Sequence, residues 1–210
     1  MRGNCESVIH GPTGNEEGVG RAIRESGIPR SEILVTTKLV DWDHDSPKRG
    51  LEGSLMALGL DYIDLYLMHW PMARVGGRDG RILQPDESPT FVETWLAMEK
   101  LLDTGKVKNI GISNFSIQNI NVLLEKAKVI PVVNQVELHP CYPQNKLIEF
   151  CRSKDHHPPK AIFEIVDNYH KGPGMHKTLD EYTLRDPGTV GGWTYEQMGW
   201  SLDREGSVVS

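Results

Sequence analysis

Residues 62–68, Tyr-Ile-Asp-Leu-Tyr-Leu-Met, form an apolar run that ends on His69-Trp70-Pro71 and so delivers a histidine and a tryptophan to one tip. In a parallel α/β barrel the C-terminal tips of the strands are where chemistry is done. A histidine there can donate a hydrogen bond to an oxygen that is gaining negative charge, beside an indole that walls a pocket. Read alone, the run is simply a buried strand and His69 its ordinary end residue. Lys38, closing the run at residues 33–37, read alone is a solvated strand end. Ser113 and Asn114 follow a further apolar run and Gln135 lies near the end of another, and by themselves they read as polar loop-entry residues, with Asn114 suited to capping a helix.

Four β-branched-rich runs, at residues 33–37, 62–68, 107–112 and 132–136, alternate with stretches of helical periodicity at 16–26, 46–58, 91–103, 116–126 and 144–153. That is a βα repeat, which predicts a parallel sheet. Pro47 suits a first helical turn, Ser46 and Ser116 suit N-caps, and Gly27 and Gly59 stand where a glycine past a helix end is expected. The longest interruption, residues 73–89, is glycine-rich and charged and follows His69-Trp70-Pro71 directly, where loops shape substrate sites. Beyond residue 154 the character changes. Residues 155–160 break the pattern, 161–170 suit a helix, and 171–210 lack strand periodicity, which predicts a tail packed across the barrel. His156 and His157 adjoin prolines without further ligands at metal spacing, so they read as solvated loop.

With 38% hydrophobic residues, 25% charged residues and a net charge of -6, the 210-residue chain shows no electrostatic footprint for nucleic acid or an anionic membrane. A small-molecule partner is expected. Three cysteines, Cys5, Cys141 and Cys151, make an odd count without CxxC spacing, which argues against a disulfide framework and a zinc site. With no apolar h-region after Met1 and no run of 18 apolar residues, a cytoplasmic location is expected.

Three motifs in order, Asp61 through Pro71, Gly105-Lys106-Val107-Lys108-Asn109-Ile110-Gly111-Ile112-Ser113-Asn114-Phe115 and Val133-Asn134-Gln135-Val136-Glu137-Leu138-His139-Pro140, resemble the aldo-keto reductases. The resemblance runs through residues 14–154. Residues 163–206, including Pro173-Gly174-Met175-His176 and Gly192-Trp193-Thr194-Tyr195-Glu196-Gln197, are similar to the C-terminal extension of fungal-type members. It implies an incomplete (β/α)8 barrel retaining about four βα units, with an irregular C-terminal tail. The expected division is a partial barrel over 1–154, a junction over 155–162 and an extension over 163–210. The implied reaction is hydride transfer from NADPH to the carbonyl of a small aldehyde or ketone. Lys38 matches the family's lysine, which lowers the pKa of a proton-donating tyrosine, and His69 matches the histidine that orients the carbonyl. Trp70 would wall the substrate pocket, while Ser113, Asn114 and Gln135 match the residues that bind the nicotinamide carboxamide. No metal is implied.

The pattern is incomplete. Gly14-Asn15-Glu16 is intact, but Thr13 stands at the tyrosine position and Val8 at the aspartate position, and residues 1–12 show no counterpart of the first two barrel strands. Between residues 154 and 163 the family's last strands and its 2′-phosphate segment are missing, and Lys160 is no convincing substitute. Losing several charge-assisted phosphate contacts, each worth about 1.5–3 kcal/mol, would weaken cofactor binding by orders of magnitude. Resumption of the tail after such a gap is the mark of a mis-spliced transcript or a misplaced exon boundary. An open half-barrel also exposes sheet edges, so self-association is expected. The alternative function is a catalytically inactive remnant that partners a full-length relative.

Overall fold

A computed structural model describes residues 5–8, 15–137, 144–153, 189–190, 192–202 and 208–209. Strand β1 (Cys5–Val8) is followed by helix α1 (Glu16–Glu25), β2 (Ile33–Leu39), α2 (Pro47–Leu58) and β3 (Ile63–Met68). A short antiparallel hairpin, β4 (Arg74–Val75) and β5 (Arg81–Ile82), precedes α3 (Phe91–Glu99), β6 (Val107–Ser113), α4 (Ile117–Leu124), β7 (Asn134–Gln135) and α5 (Asn145–Ser153). The C-terminal part contributes β8 (Thr189–Val190) paired with β9 (Trp193–Thr194), and β10 (Ser201–Leu202) paired with β11 (Val208–Val209). Among the described residues no helix is long and apolar enough to cross a membrane.

The main sheet has the order β1-β2-β3-β6-β7 and every pairing in it is parallel. Parallel neighbours need crossovers, and α2 and α3 supply them between β2, β3 and β6. The result is an incomplete (β/α)8 barrel. One face of the sheet packs on helices: Val35, Leu39, Tyr66, Met68, Ile110 and Ile112 are buried there with Leu51 and Leu55 of α2 and Trp95 and Met98 of α3. Thr37, on the same face, donates its hydroxyl to Glu16 Oε1 of α1 at 2.8 Å. Because side chains alternate along a strand, Thr36, Lys38, Leu67 and Gly111 take the opposite face, the one a closed barrel would turn inward. Leu34, of the same parity, is 37% exposed.

Local chemistry explains the helix limits. Gly59 stops α2 in the left-handed conformation at φ 65°, its N–H returning to Leu55 O and Met56 O. Thr90 and Glu93 form a reciprocal capping box at the start of α3. Ser116 accepts from Asn119 N–H and caps α4, whereas the Ser46 side chain makes no cap bond. Where α1 crosses α2, a Cβ on Gly20 would collide with Leu58 O, so only glycine permits that approach. At the N-terminal end of the sheet, Asp64 is held by Arg30 (2.7 Å) and Lys108 (2.8 Å) and accepts from Val35 N–H (3.0 Å). Both cations lie 4.1 Å from the Tyr62 ring centre. Such a clamp at the bottom of a barrel serves stability.

The four expected strands and the five helices expected within residues 16–153 are present, with differences that have physical causes. Residues 5–8 pair with β2, from Cys5 opposite Ile33 to Val8 opposite Thr36, adding a strand that their polar composition did not suggest. The expected helix over 91–103 ends at Glu99, because Leu102–Thr104 tighten into a 3-10 turn closed by Gly105 at φ 70°. The loop at 73–89 is an ordered hairpin, with Arg74 donating to Asp41 Oδ2 and to Gly80 O, both at 2.9 Å. Thr13, His139, Pro140, Cys141, His156, His157, Lys160, the helix expected at 161–170 and residues 173–176 lie outside the described residues. Cys151 is a buried free thiol whose pKa burial pushes up to about 11, so it is no nucleophile at neutral pH.

Candidate active site

Register places the chemistry. Lys38 pairs with Leu67, Leu67 with Gly111, and Ser113 with Gln135. Partners in a parallel sheet share a face, so Lys38, Ser113 and Gln135 lie on the barrel-inward face at the C-terminal ends of β2, β6 and β7. His69, two residues beyond Leu67, continues the same face past the end of β3. Two residues of strand rise, about 7 Å, separate the level of Lys38 from that of His69. Below them Gly111 makes a closed floor, since a Cβ there would meet Leu67 Cδ2, Val133 Cγ1 and Val133 O at 2.7–2.9 Å.

Lys38 is only 3% exposed, and burial lowers its pKa below the ordinary lysine range. Desolvation of this kind favours the neutral amine, so the ammonium form gains from any neighbouring anion. His69 is fixed through its backbone from both sides: its N–H donates to Leu39 O at 3.1 Å, and its carbonyl accepts from Asn114 Nδ2 at 2.9 Å. Its ring lies 5.9 Å from the half-buried Trp70 ring, tilted by 48°.

Asn114 is not the cap of α4, a role that Ser116 takes. It adopts φ 63°, a left-handed conformation that asparagine tolerates better than most residues. From there Nδ2 reaches His69 O and Ser113 Oγ (3.2 Å), and its own N–H donates to Gln135 O at 3.0 Å. Ser113 Oγ also donates to Gln135 O, at 2.7 Å. Asn134 braces the turn from the β7 side, accepting from Phe115 N–H (3.3 Å) and donating to Phe115 O (2.8 Å). The tips of β3, β6 and β7 are thereby tied into one hydrogen-bonded unit.

Two features of this neighbourhood escaped sequence reasoning. His44, in the turn after β2, is 1% exposed, and neither ring nitrogen has a hydrogen-bond partner among the described residues. Burial pushes its pKa down to about 3, with Asp45 opposing and His69 adding to the shift, so His44 is neutral at physiological pH. The second is the part that single side chains of the expected tail play: Trp193 (2% exposed) and Met198 (0% exposed) are core residues, and Trp193 Nε1 donates to Leu83 O at 2.6 Å. The local signals were the isolated bulky side chains of Gly192-Trp193 and Met198-Gly199-Trp200 in a polar stretch. A cleft of about 610 Å³ between the hairpin and the turn after β2 contains none of the strand-tip residues. Its arginines are already paired, Arg49 with Asp43 and Asp45, Arg74 with Asp41, and Arg81 with Glu87.

A parallel half-barrel with polar groups converging at its strand tips belongs to the class of (β/α)8-barrel proteins whose sites sit at that end. The aldo/keto reductase family model matches residues 7–158, and the chain belongs to that family. An aldehyde reductase and a glycerol 2-dehydrogenase (NADP(+)), both of Saccharomyces cerevisiae, are 47% identical over 155 and 156 residues, 67% of this chain and 50% of each relative. Among solved structures, the aldose reductase of Giardia lamblia superposes with a TM-score of 0.67 at 33% identity, over 74% of this chain and 55% of that one. An aldo-keto reductase of Bombyx mori in complex with NADP gives 0.69 at 31% identity, over 88% and 60%. The chain thus spans about half the length of the curated relatives it matches.

Proposed function

We propose that this chain binds a nicotinamide cofactor, NADPH, at the tips of β6 and β7 and directs its chemistry at the carbonyl of a small aldehyde or ketone held near His69 and Trp70. The observation that carries this reading is the convergence of Lys38, His69, Ser113, Asn114 and Gln135 on one end of the sheet, in a chain of this family. The donor set suits a carboxamide, which needs both donors and acceptors. Asn114 Nδ2 is committed to His69 O, so what Asn114 offers a ligand is Oδ1, an acceptor. Gln135, half-buried, brings an amide with both functions. The chemistry supplied by NADPH, when bound, would be a hydride. His69 then orients the carbonyl and donates a hydrogen bond to its developing alkoxide, and Trp70 keeps that side of the pocket apolar. Lys38, disfavoured as a buried ammonium, would hold its charge beside an anionic neighbour, the phenol that the family places there being replaced by Thr13 in this chain. We also propose a cytoplasmic location, and a division into a barrel portion at 1–154, a junction at 155–162 and an extension at 163–210, supported by the end of the family match at residue 158.

Thr13 stands where the resemblance places the proton donor, so turnover is expected to be slow. Following NADPH oxidation with glyceraldehyde tests this reading. Thr13→Tyr should raise the rate by about 10²-fold or more, and His69→Gln in that background should abolish the gain. A Thr13→Tyr protein that binds NADPH and folds but remains as slow as the parent would defeat the assignment.

One observation favours a second reading. In the main sheet β1 and β7 are edge strands among the described residues, and Leu34 is exposed on the inward face, which fits an inactive partner that pairs with itself or a full-length relative. Sedimentation showing a stable monomer at micromolar concentration would dismiss it.

A further inference from the structure

Residues 192–200 touch both the loop at 73–89 and the start of helix α4. At one end Trp193 donates to Leu83 O, Gln197 Nε2 donates to Gln84 Oε1 at 2.9 Å, and Gly192 lies against Ile82, all three contacts falling on the loop at 73–89. At the other end Asn119 Nδ2, on α4, donates to Met198 O at 3.2 Å. Gly199, at φ 73°, comes so close to α4 that a Cβ would collide with Ser116 Oγ. Between the anchors the segment is internally bonded. Met198 N–H donates to Thr194 O (2.9 Å), Trp200 N–H to Tyr195 O (2.7 Å), and Thr194 and Gln197 exchange bonds at 2.8 and 3.1 Å. A displacement at one anchor is therefore passed to the other rather than absorbed.

What lies under the second anchor matters. Ser116 (0% exposed), two residues after Asn114, is the N-cap of α4, and Asn119 (5% exposed) lies in its first turn. The intervening Phe115, 1% exposed, has its ring edge-on to Phe91 at 5.5 Å. The turn at 113–116 is thus braced by Asn134 on one side and by residues 192–200 on the other.

We propose that residues 192–200 are a strap that positions the Ser113-Asn114 turn, so that the grip on the nicotinamide carboxamide depends on how the strap is anchored to the loop at 73–89. The proposal rests on the reading that this turn holds the cofactor. Trp193, Gln197, Met198 and Asn119 act through the turn and touch no reacting atom; they are positioning residues.

The test uses the full chain with Trp193→Phe, which removes the donor to Leu83 O together with part of a buried indole, and Asn119→Leu, which removes the donor to Met198 O. Amide hydrogen exchange is read at Phe115 and Asn119 in the ligand-free protein, and NADP+ affinity is read by calorimetry. The strap predicts faster exchange at Phe115 and Asn119 in Trp193→Phe, although Trp193 is bonded to the other loop. It also predicts NADP+ binding about fivefold weaker in each variant, the ratio set by one lost hydrogen bond. The double variant should lose less than the sum of the two single losses, because both breaks loosen the same strap while Gln197 still holds Gln84. Faster exchange confined to residues 82–84 overturns the proposal, as do additive losses or an unchanged affinity in a variant that is merely less stable to urea. If the parent protein itself binds no NADP+, the cofactor reading fails, and the strap is then decided by the exchange at Phe115 and Asn119 alone.

Discussion

Replacing Asn114 separates two contributions that the structure assigns to a single side chain. Asn114→Ala removes the Nδ2 donors to His69 O (2.9 Å) and Ser113 Oγ (3.2 Å), and it leaves a Cβ-bearing residue at φ 63°. The first loss costs about 1 kcal/mol, taking the His69 carbonyl as half-buried and able to find water. The second costs about 1–2 kcal/mol, because alanine lacks the local hydrogen bonding that lets asparagine adopt the left-handed region. Asn114→Ala should therefore destabilise the fold by about 2–3 kcal/mol. Asn114→Gly loses the same donors without the conformational penalty but gains unfolded-state entropy of about 0.5–1 kcal/mol, so its cost should be about 1–2 kcal/mol. Urea unfolding followed by tryptophan fluorescence measures both. Glycine proving as costly as alanine, or alanine costing under 0.5 kcal/mol, would refute the claim that this turn is conformationally strained and tied to the tip of β3.

Tyr66 is buried with a hydroxyl that has no partner among the described residues, and burial, then Asp43 and Glu16, raise its pKa well above the ordinary value. Tyr66→Phe should be neutral or stabilise by about 1 kcal/mol in the same urea titration, and a loss above 1 kcal/mol would mean that the hydroxyl is satisfied. Gly20→Ala should cost about 1–3 kcal/mol by forcing α1 off Leu58 O, visible as a lowered thermal midpoint, and no change would show that the helices do not meet there. His44 has a folded-state pKa near 3 against about 6.5 unfolded, so the unfolded chain binds the extra proton. Its contribution to stability is complete above pH 6.5 and declines as the pH falls toward 3; His44→Leu should flatten the unfolding free energy between pH 7 and pH 5, and an equally sloped variant would contradict its burial.

The βα alternation and the strand tips were legible because β-branched runs and motif spacing are local properties of the chain. The five helices followed from periodicity and from Gly59 and Pro47, and the Thr90/Glu93 capping box is a further local signal for the start of α3. Strand β1 was not legible. Cys5-Glu6-Ser7-Val8 carries little strand propensity, and only pairing with β2 makes it one. Asn114 shows how a side chain's role depends on neighbours distant in sequence. A polar residue before a helix reads as a cap, but Ser116 is one turn position better placed, and the carbonyl of His69, 45 residues away, takes the Asn114 amide instead. The anchoring of Trp193 to Leu83, 110 residues apart, is of the same kind and leaves no periodic signal.

The claim that the tips of β6 and β7 hold a nicotinamide beside His69 is tested most directly by titrating NADPH into the purified chain and following nucleotide fluorescence, with Gln135→Leu as the paired variant. The account predicts saturable binding that NADP+ displaces, at least about tenfold weaker in Gln135→Leu, where the half-buried amide and the two hydrogen bonds it would offer the carboxamide are lost. No saturable binding at millimolar nucleotide, or equal affinity for the parent and Gln135→Leu, would contradict it.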